Sequence, residues 1–366
     1  MRINRIALNG FRNYDFETVD FSPGTNVIYG ENAQGKTNLL ESVYMLAMGR
    51  SFRTRFDREL IGFGCDSAEI LADVVSHERE QTVRILLRSG VRKQITVNSV
   101  KKTASELGET LNVVLFCPDD LNLIKEGAAA RRRLMDNAIS QIRPRYAEYL
   151  SQFNKFYESK TRILKDWREK PSLLDTLDEF SDGMCRTSAQ LIRYRASFAA
   201  RLADEAAPIH SEFSGADEKL GIEYSTVSAV KDPTASAKEI FYDLCDHMEA
   251  HRRAELDSGQ CLSGAHKDDL IISINGKNAR SFASQGQTRT AALSIKLAER
   301  EIYLDETGEY PILLLDDVLS ELDTKRQEFV LNRIGGGQTL ITCCEDEGIS
   351  RRTGGKVLHV GNGRIG

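Results

Sequence analysis

Gly30-Glu31-Asn32-Ala33-Gln34-Gly35-Lys36-Thr37 fits the G-x-x-x-x-G-K-[ST] spacing of a phosphate-binding loop. Glycines at these positions let backbone N–H groups close around phosphate oxygens, and a following helix adds its positive end. Lys36 is expected to reach the β- and γ-phosphates of a nucleotide, and the Thr37 hydroxyl to hold Mg²⁺. Asn38 extends the nucleotide-binding stretch. Far downstream, Pro311-Ile312-Leu313-Leu314-Leu315-Asp316-Asp317 is an apolar run ending in two carboxylates. A phosphate-loop ATPase needs an acid at such a strand end to hold Mg²⁺, a role Asp316 fits. Asp317 would then stand where it can act as base for the water attacking the γ-phosphate. Alone, Asp-Asp is an ordinary turn signal; its meaning comes from occurring with the loop.

The flanking elements have the order this chemistry requires. Thr25–Tyr29 reads as a short buried strand before the loop, and 38–48 as a helix after it. Alternation over 69–99 predicts an antiparallel side sheet, and 112–116 a buried strand. From 128 to about 255 apolar residues recur at helical spacing, as in Tyr146, Tyr149, Phe153, Phe156, Tyr157, Ile163 and Leu164. Pro171, Pro208 and Pro233 lie between the expected helices. The aromatic stripes read as core, and no sustained heptad predicts a long coiled coil. Strand and helix patterns return from 258, with a hairpin at Asn275-Gly276. The expected fold is α/β: a nucleotide-binding head formed by 1–127 and 257–366, with a mostly helical insertion at 128–256.

Composition narrows the class. The 366 residues are 41% hydrophobic and 28% charged, with net charge −5, values of a soluble globular protein. No apolar run approaches the roughly 20 residues that span a bilayer, and the start has no signal-peptide core. A cytoplasmic protein without a membrane contact is expected. Seven scattered cysteines without C-x-x-C pairs point to reduced thiols. Residues 131–170 hold eleven Lys/Arg against five Asp/Glu. Such a basic segment on an acidic chain is compatible with a localised DNA contact or with a solvated helix face. Arg131, Arg132 and Arg133 are its candidate phosphate contacts. His247 and His251 stand at i, i+4, but the glutamate is misplaced for H-E-x-x-H, so they read as a packing pair.

Two further motifs decide between nucleotide-binding classes. Ser284-Gln285-Gly286-Gln287 opens a helix, and Ser320-Glu321-Leu322-Asp323 follows the Asp-Asp strand. Phosphate loop, serine-glycine helix start, apolar strand with Asp-Asp, then Ser-x-Leu-Asp resembles an ABC-type P-loop ATPase head. That resemblance implies a homodimer with ATP sandwiched between subunits. Ser284, Gln285, Gly286, Gln287 and Asp323 of one subunit would then complete the site of the other. An ABC transporter subunit would carry Ser-Gly-Gly and a switch histidine, where this chain has Thr342-Cys343-Cys344. A small-molecule P-loop kinase would leave the two motifs unused, and a structural SMC-like protein would need longer coiled-coil arms. Thr342 retains a hydroxyl that can contact the γ-phosphate or the attacking water.

The match is closest to the RecF family of bacterial recombinational repair proteins, related to SMC-type heads. The residues that carry it are Phe11-Arg12-Asn13-Tyr14, Gly30 to Glu41, Phe116-Cys117-Pro118-Asp119-Asp120-Leu121, Arg131 to Asp136, Gly264 to Asp269 and Phe282 to Thr290. The resemblance implies ATP and Mg²⁺ as ligands, ATP-driven dimerisation and weak DNA-dependent ATP hydrolysis. It further implies binding to single-stranded and gapped DNA and to single-strand/duplex junctions. The partners implied are RecO and RecR, which help load RecA, with roles in replication and the SOS response. Arg12 and Asn13 are expected near the nucleotide, and Pro118-Asp119-Asp120 at the Q-loop position. Where the family has Gly-Pro-His-Arg-Asp-Asp, this chain has Gly264-Ala265-His266-Lys267-Asp268-Asp269. Lysine keeps the charge there but not a bidentate fork.

Overall fold

The computed structural model describes residues 1–344 and 348–366. They form two compact units, one of Met1–Asn122 with Arg289–Gly366 and one of Leu123–Thr288. The second unit is an insertion in the first. It is longer than the 128–256 expected, because it takes in the hairpin that the sequence pattern assigned to the head.

The first unit opens with β1 (Arg2–Phe11), β2 (Tyr14–Asp20) and β3 (Thr25–Tyr29), followed by α1 (Lys36–Met48). Then come β4 (Ser67–Ser76), β5 (Arg79–Arg88), β6 (Val91–Val97), β7 (Val100–Lys102) and β8 (Val113–Phe116). Six of these strands make an antiparallel sheet in the order β2-β1-β4-β5-β6-β7. Its alternating sequence puts Ile3, Ile6, Leu8, Ile70, Ala72, Val83 and Ile85 inside. α1 is buried along nearly all its length, with Leu39, Leu40, Val43, Met45 and Leu46 inaccessible. A helix apolar on all sides needs neighbours on all sides; α1 has β4 and β5 against it and also β8 of the second sheet.

The second unit contains α2 (Ala128–Ile142), α3 (Pro144–Asp166), α4 (Leu177–Ser214) and β9 (Leu220–Ser225). It continues with α5 (Ala237–Ala250), α6 (Arg252–Ser258), β10 (Asp269–Ile274), β11 (Lys277–Asn278) and α7 (Ala279–Phe282). α4 has 38 residues and runs through Pro208, which the sequence reading had placed between helices. Packing of its apolar stripe outweighs the hydrogen bond that proline removes. β9 was not foreseen; it pairs antiparallel with β10, giving the order β11-β10-β9. The hairpin strand after Asn275-Gly276 stops at Asn278, whose side chain accepts from the N–H groups of Arg280 and Ser281 and starts α7.

Two motifs read separately in the sequence form one buried network here. Arg195 of α4 donates to Asp136 at 2.8 Å, to Asp268 at 2.6 Å and to the Ala265 carbonyl at 2.6 Å. Asp268 also accepts from the Thr226 hydroxyl at 2.6 Å. His266 lies among Phe153 and Tyr157, its Nε2 at 2.9 Å from the Cys261 carbonyl. Burial, with Lys267 and Arg132 nearby, lowers its pKa to about 4. The unfolded chain takes up this proton near pH 6.5, so the stability present above that pH is lost as pH falls toward 4. We expect the second unit to lose up to roughly 3 kcal/mol over that window. His266→Phe should flatten the profile, read from urea midpoints at stepped pH.

The chain re-enters the first unit within α8 (Gln285–Thr307), then forms β12 (Ile312–Leu315), α9 (Thr324–Arg333) and β13 (Thr339–Cys343). It closes with α10 (Ile349–Thr353), β14 (Lys356–Gly361) and β15 (Arg364–Ile365). The second sheet has the order β15-β14-β3-β13-β12-β8, parallel from β14 to β8. Its strands are near-continuous apolar runs, as a parallel sheet covered on both faces requires.

Candidate nucleotide site

β3 delivers the loop at the carboxyl end of the parallel sheet, where open α/β sheets bind ligands. Gly30 and Gly35 have φ of 153° and 125°, values that L side chains seldom adopt. A Cβ on Gly30 would stand 2.1 Å from the Val360 carbonyl oxygen, and one on Gly35 2.8 Å from the Asn13 amide. The loop is thus wrapped against β14 and the β1–β2 turn. Lys36 is 4% exposed, and its ammonium donates to the carbonyls of Gly30 at 2.7 Å and Glu31 at 3.0 Å. The Asn32 to Gly35 backbone N–H groups donate to no acceptor among the described residues. A cradle of free N–H donors around a lysine fits a polyphosphate.

Thr37 and Asp316 are 279 positions apart in sequence, yet the threonine hydroxyl donates to the carboxylate at 2.9 Å. β13 separates β3 from β12 in the sheet and contributes the third group. Thr342 Oγ donates to Asp316 at 3.0 Å and accepts from the Asp317 N–H at 2.8 Å. Hard oxygens from Thr37 and Asp316 suit Mg²⁺. Burial raises the pKa of Asp316, against which the two hydroxyls lower it. Asp317 takes a left-handed backbone with φ of 51° and is partly exposed, where Asp316 is buried. Thr342 is 1% exposed, and its hydroxyl bonds go to the Asp316 carboxylate, the Asp317 N–H and the Leu315 carbonyl. These bonds make it a positioning residue for the Asp316–Asp317 strand end. Thr342→Val should cost about 1–3 kcal/mol, since it strands a buried carboxylate and an N–H. Thr342→Ser should restore the loss, measured by denaturant midpoint.

The β1–β2 turn supports the loop through Asn13 and Tyr14. Asn13 donates to the Gln34 carbonyl at 2.8 Å and accepts from Asn38 at 2.7 Å, while the Tyr14 hydroxyl donates to the Gly35 carbonyl at 3.0 Å. Arg12 of the same turn is held against α1. Its guanidinium forks onto Glu41 of α1 at 2.8 and 2.7 Å and reaches the Glu59 carbonyl at 2.9 Å. Glu41 is 0% exposed and also pairs with Arg53 at 3.6 Å and accepts from Ser51. Glu41 was not singled out from sequence, although a carboxylate on an apolar helix face was the available signal. The β14–β15 turn was missed too: Asn362 N–H donates to the Gln34 amide oxygen at 2.6 Å, and Gly363 N–H to its carbonyl at 3.3 Å.

Asp323 caps α9, accepting from the Arg326 N–H at 3.0 Å and pairing with its guanidinium. Those bonds hold its pKa below the usual carboxylate range. Arg326 also reaches the Thr290 hydroxyl of α8 at 3.0 Å. At the Q-loop position, Asp120 accepts from the Cys117 N–H at 2.9 Å. Within α8, Lys296 donates to Glu299 at 2.5 Å, deep in the first unit.

In the second unit, Ser284 and Gln287 form a reciprocal capping box. Ser284 N–H donates to the Gln287 amide oxygen at 2.9 Å and Gln287 N–H to the Ser284 hydroxyl at 3.2 Å. Gln287 also donates to Glu218 at 2.7 Å. Ser284 and Gln285 are exposed, and Gly286 is half-buried. Of the arginine run, Arg131 is 3% exposed and forks onto Asp269 at 2.7 and 2.9 Å. It also donates to the carbonyls of Leu123 and Glu126 at 3.0 and 2.9 Å. Its guanidinium is therefore spent inside the unit, which corrects its assignment as a DNA contact. Arg132 donates to the Asp268 carbonyl at 2.7 Å, and only Arg133 of the three is exposed. His247 and His251 stack with ring centres 4.0 Å apart, and no metal-holding cluster occurs among the described residues.

Residues 2–354 match the RecF/RecN/SMC N-terminal domain. The DNA replication and repair protein RecF of Acetivibrio thermocellus is 40% identical over 362 residues, covering 98% of both chains. That of Listeria welshimeri is 42% identical over 363 residues, covering 96% of this chain and 95% of the relative. A solved structure of the recombination mediator RecF with ATPrS, in the RecFOR pathway, superposes with a TM-score of 0.92 at 34% identity, covering 100% of this chain and 97% of that one. The Smc head of Pyrococcus furiosus, at TM-score 0.57 and 16% identity, shares the ABC-type ATPase head fold. Among the described residues no helix is long and apolar enough to cross a membrane.

Proposed function

The chain belongs to the RecF family, and from that premise we propose that it is an ATP-switched DNA-binding protein of recombinational repair. The observation that carries this reading is the meeting of Thr37, Asp316 and Thr342 beside a glycine loop with free N–H groups. ATP lies with its β- and γ-phosphates on the loop and Lys36. Thr37 and Asp316 would hold Mg²⁺, which would supply charge neutralisation at the phosphates. Asp317 takes the proton of the attacking water. Ser284 to Gln287 and Asp323 of a second copy close the site, so ATP binding joins two chains and slow hydrolysis releases them.

The exposed start of α8 supports this reading, since a helix N-terminus with a capping serine is suited to a γ-phosphate from another chain. DNA with single-stranded or gapped character and single-strand/duplex junctions are what the closed dimer holds. RecO and RecR are its partners in loading RecA, with roles in replication and SOS induction in the cytoplasm. The test is DNA binding by anisotropy with and without ATP, alongside ATP turnover with and without gapped DNA. Tighter binding with ATP and faster turnover with DNA are expected. Binding indifferent to ATP together with turnover indifferent to DNA would remove the switch.

A further inference from the structure

The segment between α1 and β4 carries Arg50, Arg53, Arg55 and Arg58 against Asp57, Glu59 and Asp66, and Asp57 is paired with Lys93 at 2.8 Å. Within this basic stretch two phenylalanines face solvent: Phe56 is 53% exposed and Phe63 107%. Arg58 lies over the Phe56 ring, 5.3 Å from its centre. Phe63 stands at a tip between Gly62 and Gly64, where Cys65 N–H closes a turn on the Gly62 carbonyl at 3.0 Å.

The frame beneath these side chains is fixed. Leu60 is fully buried, its carbonyl accepts from the Arg12 N–H at 2.8 Å, and Gly62 N–H donates to the Gly10 carbonyl at 2.8 Å. Arg12 in turn forks onto Glu41, one turn along α1 from Thr37. Two exposed rings thus stand on a hydrogen-bonded backbone within an arginine-bearing segment, Arg58 over one of them. Exposed rings interleaved with arginines are what a single strand needs, because bases stack on the rings while phosphates meet the cations. A protein interface of this size would instead call for a broader apolar centre.

We infer that Phe56 and Phe63, with Arg55 and Arg58, form a single-stranded DNA contact on the first unit. The inference rests on the DNA-binding function above and assigns it a surface other than the arginine run of α2.

The test uses the full chain with ATP and two probes, labelled oligothymidylate and an abasic oligonucleotide of equal length. Phe56→Ala and Phe63→Ala should each weaken oligothymidylate binding about tenfold and leave abasic binding unchanged. Arg55→Ala with Arg58→Ala should weaken both probes and lower the salt slope by about 1.4. Phe63→Trp should retain affinity and show fluorescence quenching on binding. Because the rings are exposed, melting temperature and ATP-dependent self-association should not move. If the parent chain binds neither probe, the DNA-binding function itself falls, and this surface with it. If the parent binds and all the variants bind equally well, the surface assignment alone falls. Equal loss of both probes by the Phe variants would contradict stacking.

Discussion

Lys36→Ala is expected to weaken ATP binding about a hundredfold, from the loss of charge-assisted hydrogen bonds worth roughly 1.5–3 kcal/mol each. The side chain is almost wholly buried and its ammonium is already turned inward over the loop, donating to Gly30 and Glu31. Phosphate oxygens offer that ammonium negative charge where the two carbonyls offer only dipoles. Alanine removes the only cation of the loop, while Gly30 and Gly35 and the backbone that wraps them are untouched. Binding measured by titration calorimetry should therefore fall without a comparable change in melting temperature. ATP-dependent self-association should fall with it. An affinity equal to that of the parent would show that the loop does not seat the phosphates.

Asp317→Asn is expected to lower turnover by about 10²–10⁴-fold while ATP affinity stays near the parent value. The substitution is suited to the position. Asparagine tolerates the left-handed backbone that Asp317 adopts at φ of 51°, and the Thr342 bond uses the main-chain N–H rather than the carboxylate. Only the capacity to accept a proton is lost. Single-turnover hydrolysis separates this from binding, and the ATP-loaded dimer should persist longer. Asp316→Asn should differ: it removes the carboxylate proposed to hold Mg²⁺ and a partner of two hydroxyls, so both nucleotide affinity and turnover should drop. If the two substitutions behaved alike, the division of labour between the neighbouring carboxylates would be wrong.

The loop and the Asp-Asp strand were legible because each is a local pattern whose chemistry dictates its residues. Strand, glycine loop and helix follow from spacing within a few residues. The bond from Thr37 to Asp316 could be expected because a parallel sheet gathers strand ends on one edge. Thr342 shows the limit. Its hydroxyl was noticed, but its partner depended on β13 lying between β3 and β12, and strand order is not written in any one segment. Arg131 shows another. A run of three arginines reads as solvent-facing charge, and nothing near it in sequence reveals that Asp269, 138 positions away, takes the first of them inside. The same holds for Asp136 and Asp268, quoted in separate motifs and joined in one ion-pair network by Arg195. β9 escaped notice because a six-residue strand among long helices is a weak pattern. It becomes a strand only by pairing with β10.

Mixing two inactive variants tests the sandwich dimer most directly. Lys36→Ala has a defective loop and an intact α8 start; Ser284→Arg has an intact loop and a blocked α8 start. Each alone should hydrolyse little ATP. In a mixed dimer the intact loop of one chain meets the intact Ser284 of the other, so one complete site forms. Turnover of the mixture should then rise well above the sum of the separate variants, and more so with gapped DNA present. A mixture no more active than its parts would contradict a site shared between two chains.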